Sequence, residues 1–270
     1  MRSLLPKISP FHCVAEDVAI AYGYNNIVRT LPRTLTTGAQ LPINKLTDAL
    51  RAELARAGYD ECLTLALCSR EENFGALLLK DPGADDACDG SAVSIANPKT
   101  DEFQIGRTSM LPGLLKSLAS NRAAPVRDGL RLFEVSDVML RDASVDVGAR
   151  NERRLAALYA GPTAGFEVIH GLLDRIMMLL EVAHKPFAWE EGASSTSPAY
   201  GRGGLRYSVV PETEIPTYFT GRGARVVVEH EDGRPAIVVG TFGVLHPQVL
   251  ANFDLGWPVS VLEINVEPFV

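Results

Sequence analysis

The chain has 270 residues, 46% of them hydrophobic and 22% charged, and carries a net charge of −7. These proportions suit a packed globular core and argue against disorder, and no apolar run reaches the roughly 18 residues that a membrane helix needs. The acidic balance, with no run of Lys or Arg, excludes a domain that grips nucleic acid unaided, because phosphate neutralisation supplies most of that affinity. Cys13, Cys62, Cys68 and Cys88 show no CxxC spacing. They read as reduced thiols of a cytosolic protein, without a disulfide framework or a zinc site. Met1 to Pro6 opens no long apolar stretch, so no secretory signal is expected.

In chain order, His12 to Tyr22 is predicted helical from Val14, Val18 and Ala21/Tyr22, with Gly23 as its stop and Asn25-Asn26 as a turn. Pro32, Gly38 and Pro42 mark a connector over residues 31–42. An amphipathic helix follows, with Ile43, Leu46, Leu50, Leu54 and Ala57 on one face and Gly58 at its end. Cys62 to Leu67 reads as a short strand, residues 81–91 as an acidic loop, and Val93 to Ala96 as another strand. Thr108 or Ser109 is placed to cap a helix that runs to Asn121. Leu130 to Leu140 is a long strand, Arg154 to Ala160 a buried one, and Phe166 to Leu180 a second periodic helix. Residues 190–204 are loop-like. Arg225 to His230 and Ala236 to Thr241 form a hairpin about Glu231-Asp232-Gly233, then Pro247 to Phe253 a short helix and Val259 to Val266 a final strand. This irregular alternation predicts an α+β fold with a largely antiparallel sheet.

Signals for chemistry are sparse. None of His12, His170, His184, His230 and His246 has metal-ligand spacing. His170 beside Ile169 reads as a packing residue, and His246 before Pro247 as the start of a helix. No GxSxG, P-loop or Rossmann fingerprint is present.

Seven stretches, in order, resemble one family. They are EDVAIAYGYNNI from Glu16, LPINKLTDALRAELARAGYDECLTLALCS from Leu41, NPKTDEFQIGRTSMLPGLLKSLASNR from Asn97, LFEVSDVML from Leu132, DVGARNERRLAALY from Asp146, GFEVIHGLLDRIMMLLEV from Gly165, and GVLHPQVLANFDL with VSVLEINVEPF from Gly243 onward. Together they are similar to the β subunit of phenylalanine–tRNA ligase of the eukaryotic or archaeal type. The resemblance implies a class II aminoacyl-tRNA synthetase-like antiparallel sheet flanked by helices, over residues 37–270, preceded by the tail of a B5-type domain and a linker in residues 1–36. It implies a cytoplasmic enzyme that joins phenylalanine to tRNA-Phe with ATP and magnesium. That enzyme is an (αβ)2 assembly whose α subunit carries the catalytic domain.

The same resemblance gives this chain a scaffolding role, with no catalytic or cofactor-binding residue of its own. Class II enzymes meet the ATP α-phosphate with an arginine on the second-motif strand. That position reads Leu140 here, and Arg141 faces the other way if the strand continues. Gly201-Arg202-Gly203-Gly204 has the glycines of a third motif, but no apolar helix follows it, and it reads as a surface loop. The family's magnesium site falls on Glu16 and Asp17, but the additional aspartates just upstream are absent here, and the competing reading is a solvated acidic turn. The helix face with Ile43, Leu46, Leu50 and Leu54 either meets the α subunit or covers the chain's own sheet. Arg107 to Pro112 either pairs and caps within the fold or lines a vestigial pocket. Arg150 and Arg153 lie in a charged turn that is either a solvated loop or a contact for the α subunit or RNA. The alternative to a ligase scaffold is a free-standing paralogue that binds RNA or a small molecule in the vestigial cleft.

Overall fold

The computed structural model describes residues 10–31, 33–34, 38–81, 91–124, 129–185 and 204–270. The chain divides into two compact units, Met1–Gln40 and Leu41–Val270. In the first, helix α1 spans Pro10–Tyr22, and Gly23 stops it with φ 90°, a backbone angle glycine adopts without strain. Asn26 then donates its amide to the Tyr22 carbonyl at 2.7 Å and closes a single turn.

Among its described residues the second unit holds an eight-stranded sheet with helices on both faces and a separate two-stranded sheet. Helix α2 (Pro42–Arg56) starts on a proline that needs no partner for its nitrogen, and ends at Gly58 with φ 83°. The edge strand β1 (Asp60–Glu61), β2 (Leu67–Cys68) and the single-turn helix α3 (Arg70–Asn73) follow. A capping box holds α3: Ser69 accepts from the Glu72 N–H while Glu72 reaches back to the Ser69 N–H. Next come β3 (Ile105–Gly106), α4 (Leu111–Ser120) and the long hairpin β4 (Leu130–Arg141) and β5 (Ala149–Ala160). The remaining elements are α5 (Phe166–Leu179), β6 (Ala183–His184), β7 (Leu205–Glu212), β8 (Tyr218–His230), β9 (Ile237–Leu245), α6 (Pro247–Asn252) and β10 (Val259–Asn265).

The strand order is β1-β4-β5-β10-β9-β8-β7-β6. All central pairs are antiparallel; only the two-residue edges β1 and β6 run parallel to their neighbours. Strand alternation sends Phe133, Val135, Leu155, Ala157, Leu262 and Ile264 to one face, where α2 and α5 cover them. It sends Val138, Leu140, Ala156, Leu158 and Val261 to the other, beneath α4 and α6. Because both faces are covered, successive residues of a central strand can all be buried, as Leu155 to Ala160 of β5 are. Gly240 lets β9 and β10 approach closely, since a Cβ there would collide with the Glu263 carbonyl oxygen.

Several expectations need correction. Cys62 to Leu67 is not one strand: β1 ends at Glu61, β2 begins at Leu67, and Cys62 adds a single bond to the Phe133 carbonyl at 2.7 Å. Val93 to Ala96 contributes only an isolated bridge from Ser94 to Ile105. The charged turn before Arg154 is strand instead. β5 starts at Ala149 because Arg150, Glu152 and Arg153 find carboxylate or guanidinium partners, so charge does not break the pairing. Strand β7, not anticipated, is carried by Tyr207 and Val209 facing the core. Neither Thr108 nor Ser109 is the cap of α4; Met110 is, without a side-chain bond. The acidic loop lies outside the described residues at 82–90, Cys88 with it, as does the Gly/Ser-rich loop at 190–203. Cys13, Cys62 and Cys68 are free thiols. Among the described residues no helix is long and apolar enough to cross a membrane.

Candidate functional site

The α4 side of the sheet carries a dense polar network, built from positions two apart on neighbouring strands. Arg150, Glu152 and Arg154 alternate along β5, with Glu134 on β4 and Glu263 on β10 sharing their face. Glu134, Glu152 and Glu263 are all buried. Burying carboxylates costs several kcal/mol each unless they are paired and hydrogen-bonded, on the order of the desolvation penalty for an ion. Each here is answered by an arginine and further donors.

Arg107, on the segment before α4, donates to Glu134 at 3.0 Å, to the Thr64 hydroxyl at 2.8 Å and to the Asp137 carbonyl at 3.0 Å. Thr64 in turn donates to the second Glu134 oxygen at 2.6 Å. The pair is sealed, with side-chain exposures of 4% for Arg107 and 1% for Glu134. Arg154 donates to Glu152 at 2.8 Å, to Glu263 at 3.3 Å and to the Thr108 carbonyl at 3.0 Å. Arg150 donates to the other Glu152 oxygen at 2.7 Å and also pairs with Asp142. Glu263 accepts from the Ser109 hydroxyl at 2.6 Å and from the Met110 N–H at 3.1 Å, and so ties the start of α4 to β10.

Burial pushes the Glu152 carboxyl up, but Arg154 and Arg150 outweigh it and hold it below the usual carboxylate range. Burial pulls the Arg154 guanidinium down, and Glu263 with Glu152 more than restores it. A cavity of about 380 Å³ opens beside this network, lined by Arg150, Glu152, Arg154, Thr241, Glu263 and Asn265. Its arginines are spent on carboxylates of the same chain. The cavity therefore offers an entering phosphate little uncompensated positive charge.

The structure distributes the sequence-predicted residues as follows. Leu140 is buried under α4. β4 continues through Arg141, which therefore faces the opposite side. Arg107 takes the pairing role read for it. Leu50 and Leu54 are 0% and 1% exposed within the chain itself, so neither is available as a subunit contact, which corrects that half of the reading. Their place is the core under α2, and Ile43 and Leu46 pack at its margin. The outward side of α2 is ionic instead: Arg51 bridges Asp48 and Glu61, and Arg56 pairs with Glu53. Arg153 pairs with Asp137 and donates to Thr47 at 2.9 Å, joining β5 to α2. Arg150 and Arg153 thus sit on opposite faces of one strand rather than in a common turn. His170 stacks on Phe242, ring centroids 5.5 Å apart and planes within 3°, as a packing residue does. His246 begins α6, its Nδ1 accepting from the Gln248 N–H at 3.1 Å.

Glu16 and Asp17 are exposed neighbours on α1. Consecutive helical residues are offset by about 100° around the axis. Among the described residues no three or more His, Cys, Asp or Glu side chains are arranged so that they could hold a metal ion. Magnesium demands a near-octahedral oxygen shell, which Glu16 and Asp17 by themselves do not complete.

Sequence reasoning missed the three glutamates. A signal was present for two of them: Glu134 in LFEV and Glu263 in VLEIN each interrupt an apolar strand segment, whereas Glu152 amid arginines gave none.

Comparison with known proteins agrees with the seven resembling stretches. The sequence profile of the phenylalanyl tRNA synthetase beta chain CLM domain matches residues 27–266. The chain belongs to the phenylalanine–tRNA ligase β-subunit family. It is 47% identical to the phenylalanine–tRNA ligase beta subunit of Drosophila melanogaster, over 99% of this chain and 42% of that protein. It is 46% identical to the Homo sapiens beta subunit, over 95% of this chain and 38% of that one. The Arabidopsis thaliana relative, named as the cytoplasmic beta subunit, is 41% identical over 94% of this chain. The chain thus spans about two fifths of the length of these relatives.

Proposed function

We propose that this chain supports phenylalanine–tRNA ligase from within its β subunit and performs no adenylation itself. The holoenzyme would join phenylalanine to tRNA-Phe with ATP and magnesium in the cytoplasm, through the active site of a partner α subunit in an (αβ)2 assembly. The observation that carries this reading is the internal pairing of Arg107, Arg150 and Arg154 with Glu134, Glu152 and Glu263. Adenylation develops charge on the α-phosphate and needs cations directed at that point, not at the enzyme's own carboxylates. A class II-like ancestry is supported by the antiparallel centre of the sheet, by β1 lying parallel beside β4, and by the long helix α2 leading into β1. Residues 1–36 would then close a preceding domain and residues 37–270 form the catalytic-like one.

The contact with the α subunit is assigned to the extended segment after β1 rather than to the inward face of α2. Leu63 and Leu65 there are 87% and 69% exposed, while Thr64 between them turns inward to Glu134. Two large apolar side chains facing water two positions apart on an extended segment suit a protein interface. The test is co-expression of the full β subunit with its α subunit. Leu63→Asp with Leu65→Asp should abolish co-elution while leaving the β subunit folded. ATP–pyrophosphate exchange by this chain without α, driven by phenylalanine, would overturn the non-catalytic reading.

A further inference from the structure

We draw no further inference here: the strongest candidate, the cluster at the start of β4 where half-buried Arg131 lies over the Tyr159 ring near the unpartnered hydroxyl of Tyr59, carries nothing, because the Tyr59 hydroxyl and the Arg131 Nε are sealed from solvent and leave an anion no path to reach them.

Discussion

Replacing Glu134 by alanine would strand the Arg107 guanidinium in a dry interior. In the native fold that guanidinium has three acceptors, of which only Glu134 carries charge; the others are the Thr64 hydroxyl and the Asp137 carbonyl. Removing one partner of a buried pair leaves an uncompensated charge and costs about 3–5 kcal/mol. At about 2–4 °C per kcal/mol for a domain of this size, Glu134→Ala should lower the melting temperature by roughly 10 °C. The double replacement Arg107→Met with Glu134→Leu removes both charges and restores apolar volume. It should cost less than the single change, because the pair's attraction is largely spent against its own desolvation. Urea denaturation of the wild type, the single variant and the double variant gives the comparison. A single-variant loss under about 1 kcal/mol, or a double variant weaker than Glu134→Ala, would refute the argument that the pair matters through the charge it leaves behind.

Glu152 sets an acid limit. Its folded pKa lies below the ordinary 4.5, so the stability it contributes is present above that value and is lost as pH falls through the lower, folded one. Urea midpoints measured from neutral pH downward should therefore fall less steeply below pH 4.5 in Glu152→Gln than in the wild type. Leu50→Ala should cost about 2–5 kcal/mol in chemical denaturation, as for any fully buried leucine, and should act before any effect on subunit assembly. Gly240→Ala should destabilise by about 1–3 kcal/mol, since the added methyl meets the β10 backbone, which cannot move aside as a side chain could. Asp254 follows α6 with φ 54°, and the Leu255 N–H closes the helix end on the Leu250 carbonyl at 2.9 Å. Asp254→Gly should therefore raise stability by up to about 1 kcal/mol in the same assay, by relieving a left-handed residue that carries a Cβ.

The elements legible in the sequence were those whose apolar spacing is self-sufficient. Helix α2, helix α5, β4 and α6 all lie where periodicity, proline and glycine put them, within a few residues, whereas the β8–β9 hairpin was read at its turn but β8 begins at Tyr218 rather than Arg225. Failures came where pairing rather than pattern decides. The CLTLAL stretch has strand composition, yet between Cys62, which bonds Phe133, and Ala66, which accepts from the Arg107 N–H at 3.0 Å, no backbone pairing sustains a strand. The ARNERR stretch has loop composition, yet it is strand, because Asp137, Asp142, Glu152 and the backbone of β4 receive it.

By itself the sequence determined the family and the α+β class, since each follows from residue identity and order along the chain. Only the tertiary structure decided what the charges do. Glu134 and Arg107 stand 27 residues apart, and Ser109 and Glu263 stand 154 apart. Sheet register brings such groups within hydrogen-bond reach, and burial then fixes whether a charge is consumed inside the fold or offered outside it. The same burial turned the leucines of α2 inward and left Leu63 and Leu65 facing water.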